Sequence, residues 1–284
     1  MACREDPPGL AVDAGLKYER CTQALARFLR GLHDPDVVIG LSGGLDSSVV
    51  AALAVDALGA TRVHGVLMPG PFSSDHSVED AWELARRLGI DACQVPITEP
   101  HKAFRTALEP ALGAPLEGLA DENAQARCRM VVLMALSNAR GWIVLNTGNR
   151  SEALMGYSTL YGDTAGAFAP IGGLYKTDVF ALARWRNAQA SACGEVPPIP
   201  ARVLTKPPSA ELSANQSDED SLGVSYERLD RLLIDVFERG RGVEEASAAA
   251  GLSVAHARFL VERAQSFAFK RALEPPYPSD PFYV

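Results

Sequence analysis

VVIGLSGGLDSSVVAAL, residues 37–53, is the stretch that decides the fold of this chain. Its β-branched start, Val37, Val38 and Ile39, reads as a buried strand, its Ala-rich end reads as a helix, and a Ser-Gly-Gly turn joins the two. Gly43 and Gly44 allow the backbone to turn tightly and approach a ligand closely. Ser47 and Ser48 stand at the helix start, where unpaired N–H groups and the positive dipole end favour a bound phosphate. Asp46 is out of place in a bare phosphate cradle. A carboxylate there repels the ligand unless a divalent cation bridges them, so Mg²⁺ is expected. The bland alternative is an ordinary strand–turn–helix junction with chance glycines.

Working outward, apolar spacing predicts a helix over 16–32, with Leu16, Cys21, Leu25, Phe28, Leu29 and Leu32 near one face. RVHGVLMP (62–69) reads as a second strand. SVEDAWELARRLG reads as a helix with a Ser77/Asp80 capping box and Gly89 at its end. ACQVPI (92–97) and WIVLNTGN (142–149) are third and fourth strands, with helices near 101–112 and 121–140 between them. Strands alternating with helices predict an α/β protein, a doubly wound parallel sheet flanked by helices. Ligands bind such sheets at the carboxyl ends of the strands, which puts 42–48, 68–74 and 146–152 on one rim. The expected organisation over residues 1–284 is a single domain. Its core sheet covers about 36–190, and a Pro-, Ser- and acid-rich stretch over 194–223 is an ordered loop or mobile flap. C-terminal helices follow over about 224–272, then a tail over 273–284.

With 284 residues and 47% hydrophobic content the chain can bury a full core. Lys plus Arg number 27 against 35 for Asp plus Glu, and this net charge of −8 argues against a nucleic acid as partner. No apolar run is long enough for a membrane span, and the N-terminus MACREDPPGL lacks the form of a signal peptide, so a cytoplasmic location is expected. The five cysteines form no CxxC pair, so neither a disulfide framework nor a zinc site is indicated, and most are expected to be buried. Thr147 and Glu152, just beyond Leu145, bring a hydroxyl and a carboxylate opposite the Asp46 loop. Lys176 opens a helix in GGLYKTDVFALARWRN, against the helix dipole. Either a phosphate sits between them, or the side chain swings into solvent. Arg127 lies one turn before Val131 on a helix that is otherwise apolar there, placed for a ligand phosphate or else exposed and paired with Glu122 or Asn123.

S-G-G-x-D-S after a strand lacks the Lys of a GxxxxGK[ST] loop and resembles the pyrophosphate loop of the ATP pyrophosphatase superfamily. Further along come VLMPGPFSSDHS, ENAQARCRM, NTGNRSE, GYSTLYGD, PIGGLYKT, KPPSAEL and QSDEDSLGVSYERLD. In this order, over about residues 16–272, they resemble the NAD synthetase family, whose members amidate deamido-NAD. YSTLYGD and LARWRN are most similar to the synthetase domain of its glutamine-dependent branch. The resemblance implies that Gly40, Leu41, Ser42, Gly43, Gly44, Leu45, Asp46 and Ser47 hold ATP, with Met68 by the adenine and Thr147, Lys176 and Ser209 as further contacts. It implies Asp46 and Glu152 as Mg²⁺ ligands, and Asp46 and Lys176 as the groups closest to the chemistry. Arg127 and Lys270 match positions that bind deamido-NAD.

This chain departs from the family at three places. Leu160 and Ala167 replace a Lys and an Asp of ammonia-dependent members, so Tyr157, Ser158, Thr159 and Leu160 are expected to serve the substrate by other groups. Phe269 replaces a His and offers a ring for stacking. No space remains in this sequence for an amidase domain, so ammonia, free or delivered by a separate glutaminase, is the expected nitrogen donor. The implied reaction converts deamido-NAD, ATP and ammonia to NAD, AMP and pyrophosphate through an adenylate, and a homodimer is implied, with the helices at 16–32 and 121–140 as contact candidates. A flap at 205–223, bearing Lys206, Ser209, Asp218 and Glu219, is expected to close over the intermediate. Rival readings are another ATP-pyrophosphatase, such as GMP synthetase or a tRNA-thiolating enzyme, and a non-catalytic adenine-nucleotide sensor.

Overall fold

The computed structural model describes residues 13–206, 211–213, 222–279 and 282–283. Its centre is a four-stranded parallel sheet made of β1 (Val37–Gly40), β2 (Val63–Leu67), β3 (Asp91–Gln94) and β4 (Ile143–Val144), in the order β3-β2-β1-β4. Val37 pairs with Val63 on one side and with Ile143 on the other. The period-two rule sends neighbouring side chains of β1 to opposite faces. Val37 and Ile39 enter a core with α1 (Ala14–Arg30), α2 (Leu45–Leu58), α3 (Asp75–Leu88) and α7 (Lys176–Ala192). Val38 enters a smaller one with Met68, Cys128 and Leu133 beneath α5 (Gly118–Arg140). Both faces are covered, which is why β1 is apolar throughout. The order reverses at β1, since β2 and β3 extend to one side and β4 lies on the other. The crevice outside β1 and β4 is therefore the switch point at which α/β sheets bind ligands.

The remaining elements are α4 (Thr98–Leu112), α6 (Arg150–Met155), α8 (Tyr226–Leu233), α9 (Val243–Ala249), α10 (Val254–Ser266) and α11 (Ala268–Arg271). Leu154 and Met155 of α6 pack with Leu229, Leu232, Leu233, Leu260 and Val261 in a third core, so the C-terminal helices rest directly on the start of the switch-point crevice.

Several boundaries differ from the sequence reading for local reasons. The stripe expected over 16–32 is shorter, because Leu16 and Leu32 are exposed and α1 ends at Arg30. α3 starts before the expected Ser77/Asp80 capping box: Ser74 is the N-cap and accepts from the Ser77 N–H, while Asp80 is buried and paired with Arg202 at 2.7 Å. β3 ends at Gln94, although the Val95 and Ile97 N–H groups still donate to the Leu67 and Pro69 carbonyls at 2.8 and 3.0 Å before α4 begins at Thr98. β4 has two residues instead of eight, because from Asn146 onward the chain bonds to the 163–168 segment rather than to β1. α4 and α5 each begin three residues early. Of the four described cysteines, Cys21 and Cys128 are buried whereas Cys93 and Cys193 are exposed. Among the described residues no helix is long and apolar enough to cross a membrane.

Candidate active site

The cleft at the switch point has a volume of about 510 Å³, within the range of small-ligand sites. Its floor is the β1–α2 turn, where residues 40–47 all face it. Gly43 has φ 74°, and a side chain on it would place Cβ 2.0 Å from the Ser77 carbonyl oxygen. Only glycine fits both the backbone angle and the close approach of α3. Gly44 is extended and caps α2. Hydroxyls hold the turn: Gly44 N–H donates to Ser42 Oγ at 3.2 Å, and Ser48 Oγ donates to the Gly44 carbonyl at 2.7 Å.

Above the turn, Lys176 Nζ donates to Asp46 Oδ2 at 2.5 Å and to Glu152 Oε1 at 2.9 Å. Lys176 is buried, so the solvent-facing alternative is excluded. Burial opposes its charge, but the two carboxylates outweigh that and hold its pKa well above an ordinary lysine's. Asn149, to which the sequence reading gave no role, links the two acids. Its Nδ2 donates to Asp46 Oδ1 at 2.8 Å, and its Oδ1 accepts from the Glu152 N–H at 3.0 Å as the N-cap of α6. The spacing Asn149-x-x-Glu152 was the available signal.

Asp46 and Glu152 fit a Mg²⁺ ion. They converge on one cation position from two elements, and Mg²⁺ takes one or two carboxylates with substrate phosphates and water. Among the described residues no group of three or more His, Cys, Asp or Glu is arranged for a metal, so a Mg²⁺ ion held by this pair would need its remaining ligands from substrate or water.

Met68 and Thr147 line the cleft on either side of the turn. At its far end lie Tyr157, Ser158 and Thr159, with Lys270 donating to the Gly156 and Ser158 carbonyls at 2.9 and 2.6 Å. Burial lowers the pKa of Lys270, partly countered by Asp163, while Arg263 adds to the lowering. Asp163 was missed. Its carboxyl accepts from the Thr159 N–H at 2.6 Å, and crowding by the surrounding chain raises its pKa to about 6 against that bond and the charge of Lys270. Asp163 lines the cleft beside these residues.

Phe269, the ring expected from the sequence, is exposed and does not line the cleft; Phe267 lines it, packed against Gly156, with Arg263 and Lys270 at 5.6 and 5.0 Å from its centroid. Arg127 does not line this cleft. It is exposed, and its Nε donates to the Leu160 carbonyl at 3.1 Å; Leu160 does not line the cleft either. Arg129, two residues on and so on the other side of α5, lines the cleft instead, with Nε donating to the Met68 carbonyl at 3.1 Å.

Lys206 and Glu211 close the side nearest α3. Glu211 accepts from Ser74 N–H and Oγ, both at 3.1 Å, from Ser77 Oγ at 2.7 Å and from Lys206 Nζ at 2.7 Å. Burial works against its charge, but these donors hold its pKa below the usual range. Ser209, Asp218 and Glu219 lie outside the described residues.

A parallel sheet that reverses its order beside a glycine turn, with the acids and the lysine gathered there, is an adenine-nucleotide α-hydrolase-like fold, as in solved NAD synthetase structures. The NAD synthase family profile matches residues 17–274, and the chain belongs to that family. It is 45% identical over 249 residues to the glutamine-dependent NAD(+) synthetase of Rhodobacter capsulatus, covering 86% of this chain and 44% of that protein. The chain thus spans less than half the length of that relative. Among solved structures, the NH3-dependent NAD synthetase of Campylobacter jejuni superposes with a TM-score of 0.71 at 29% identity, covering 92% of this chain and 97% of that one. The NMN synthetase of Francisella tularensis superposes with 0.73 at 29% identity, covering 90% and 96%.

Proposed function

We propose that this chain amidates deamido-NAD with ammonia at the expense of ATP, through a deamido-NAD adenylate, releasing AMP and pyrophosphate. The observation that carries the reading is the convergence of Asp46, Glu152 and Lys176 over a glycine turn at the sheet's switch point. A carboxylate resists attack by ammonia because oxide is a poor leaving group. The substrate carboxylate oxygen first attacks the α-phosphorus of ATP, and pyrophosphate departs. Ammonia then attacks the activated carbonyl carbon and AMP leaves with the carboxylate oxygen.

In this reading residues 40–47 and Thr147 hold the phosphates and ribose, and Met68 lies by the adenine. Lys176, a permanent cation, stabilises charge on the departing phosphates by position and electrostatics. Asp46 and Glu152 would hold Mg²⁺, whose chemistry is to neutralise the triphosphate. Tyr157, Ser158, Thr159 and Lys270 would receive the acceptor, with the Phe267 ring available for stacking. Ammonia would reach the site from solution or from a separate glutaminase.

The test is to incubate the protein with ATP, Mg²⁺ and either deamido-NAD or nicotinate mononucleotide, supplying ammonium or glutamine. NAD, AMP and pyrophosphate with deamido-NAD and ammonium alone are expected. ADP in place of AMP overturns the adenylate, turnover with glutamine only overturns the donor, and preference for the mononucleotide overturns the acceptor.

A further inference from the structure

The segment SYERLD, 225–230, serves no step described above, yet it forms α8 directly beneath the lysine. Tyr226 and Asp230 are one helical turn apart on one face, and both are buried. Asp230 Oδ1 accepts from Ser151 Oγ at 2.6 Å, and Oδ2 accepts from the Thr177 N–H at 2.8 Å. Ser151 Oγ in turn accepts from the Lys176 N–H at 2.9 Å. The first two amides of α7, which have no intrahelical partner, are thereby satisfied from α6 and α8. Ser151 is the residue before Glu152, so this one carboxylate steadies the backbone at Lys176 and next to Glu152 together. The Tyr226 ring lies 5.6 Å from Lys176 Nζ and backs the ammonium from the other side.

The arrangement also resolves why a lysine is tolerated at a helix N-terminus. The α7 dipole is positive there and repels an ammonium, while the Asp46 and Glu152 carboxylates that accept from Nζ offset it and Asp230 satisfies the Thr177 amide. We infer that Asp230 is a positioning residue that acts through Ser151 and the α7 amides to fix Lys176 and Glu152 at the phosphate end of the cleft. The inference rests on the proposed ATP site and extends it to a helix that touches no substrate.

The test compares Asp230→Ala, Ser151→Ala and Lys176→Ala with Asp235→Ala, each assayed on folded protein. Asp235 is the control because it is also a buried carboxylate of the C-terminal region, but it binds Arg239 at 2.8 Å and Arg241 at 3.4 Å instead of α7. Asp230→Ala and Ser151→Ala are expected to lower kcat roughly ten- to hundredfold, as loss of an outer-layer partner does elsewhere, with the KM for deamido-NAD unchanged. Asp235→Ala is expected to lower Tm and leave kcat in place. Ser151→Ala removes a single hydroxyl and keeps the test valid should Asp230→Ala fail to fold. Wild-type kcat in Ser151→Ala beside a loss in Lys176→Ala overturns the positioning role alone. Wild-type kcat in Lys176→Ala overturns the ATP-site reading beneath it.

Discussion

Lys176 is a fixed cation held between two acids, and removing it has two separable consequences. The phosphates lose a preorganised charge, so Lys176→Ala is expected to lower kcat/KM for ATP by about 10²- to 10³-fold, read by steady-state kinetics. The acids lose their internal counter-ion, so the same variant is expected to bind Mn²⁺ without nucleotide more tightly than the wild type, read by calorimetric titration; equal affinity in the two proteins would mean that Asp46 and Glu152 do not share a cation position. Asp230 presents the opposite electrostatic problem. Burial raises its pKa to about 7, only partly opposed by the bonds from Ser151 and Thr177, with Asp178 adding to the rise. A free Asp titrates near pH 4, so between about pH 4 and 7 the folded chain binds a proton that the unfolded chain has lost. Its contribution is complete below that window and declines as pH rises through it. Asp230→Asn stays neutral throughout, so its Tm is expected to fall less than the wild type's between pH 5 and 8 in thermal melts; parallel curves would remove Asp230 as the source of the slope.

At the scale of elements, the β1–α2 glycine turn and α3 are built as one piece. The Gly43 Cα faces the Ser77 carbonyl so closely that a methyl group would sit 2.0 Å from its oxygen, at a backbone angle that L residues rarely adopt. Gly43→Ala must push α3 off the loop or open the turn, so ATP binding by calorimetry is expected to disappear and Tm to drop. Retained ATP affinity would show that the loop does not hold the phosphates. Strand, turn and helix were legible here because their signals are local: β-branched residues, a glycine pair, then an Ala-rich run. Asp46, Glu152 and Lys176 were singled out individually for the same reason. The strand-end rule and the resemblance already set Glu152 opposite Asp46, but the bonds from Lys176 to both acids were not legible, since Asp46 and Lys176 are 130 residues apart and meet only through the parallel crossovers. β4 was misjudged because WIVLNTGN is apolar enough for a strand, yet Asn146 bonds to Asp163 and Ala165 carbonyls and draws the chain out of the sheet. Arg129 stands two residues from the position the resemblance favoured, about 200° of rotation on α5, the difference between facing the cleft and facing away. Phe267 stands at the break between α10 and α11, which turns its ring to the cleft.

On the whole molecule one face remains unaccounted for. Phe104, Leu108 and Leu112 form an exposed stripe along α4, and Leu119, Val131 and Met134 are exposed on α5, with Tyr161 nearby. Isolated exposed apolar residues are unremarkable, but this many on two helices that pack together make that side a candidate interaction surface. Arg127 belongs to that exposed side of α5, outside the cleft of its own chain, whereas the resemblance implies that it contacts deamido-NAD. The exposure and the implied role agree if a second copy covers the face and Arg127 of one chain reaches the acceptor end of the other's cleft. The expected state is a dimer by light scattering. Val131, 62% exposed, supplies the cleanest test, since a charge there disturbs no core. Val131→Glu is expected to yield monomers with wild-type ATP affinity and a raised KM for deamido-NAD, and Arg127→Ala is expected to raise that KM while leaving the dimer intact. A wild-type protein that is monomeric at micromolar concentration and still turns over would assign the apolar face to a different partner and remove Arg127 from the substrate site.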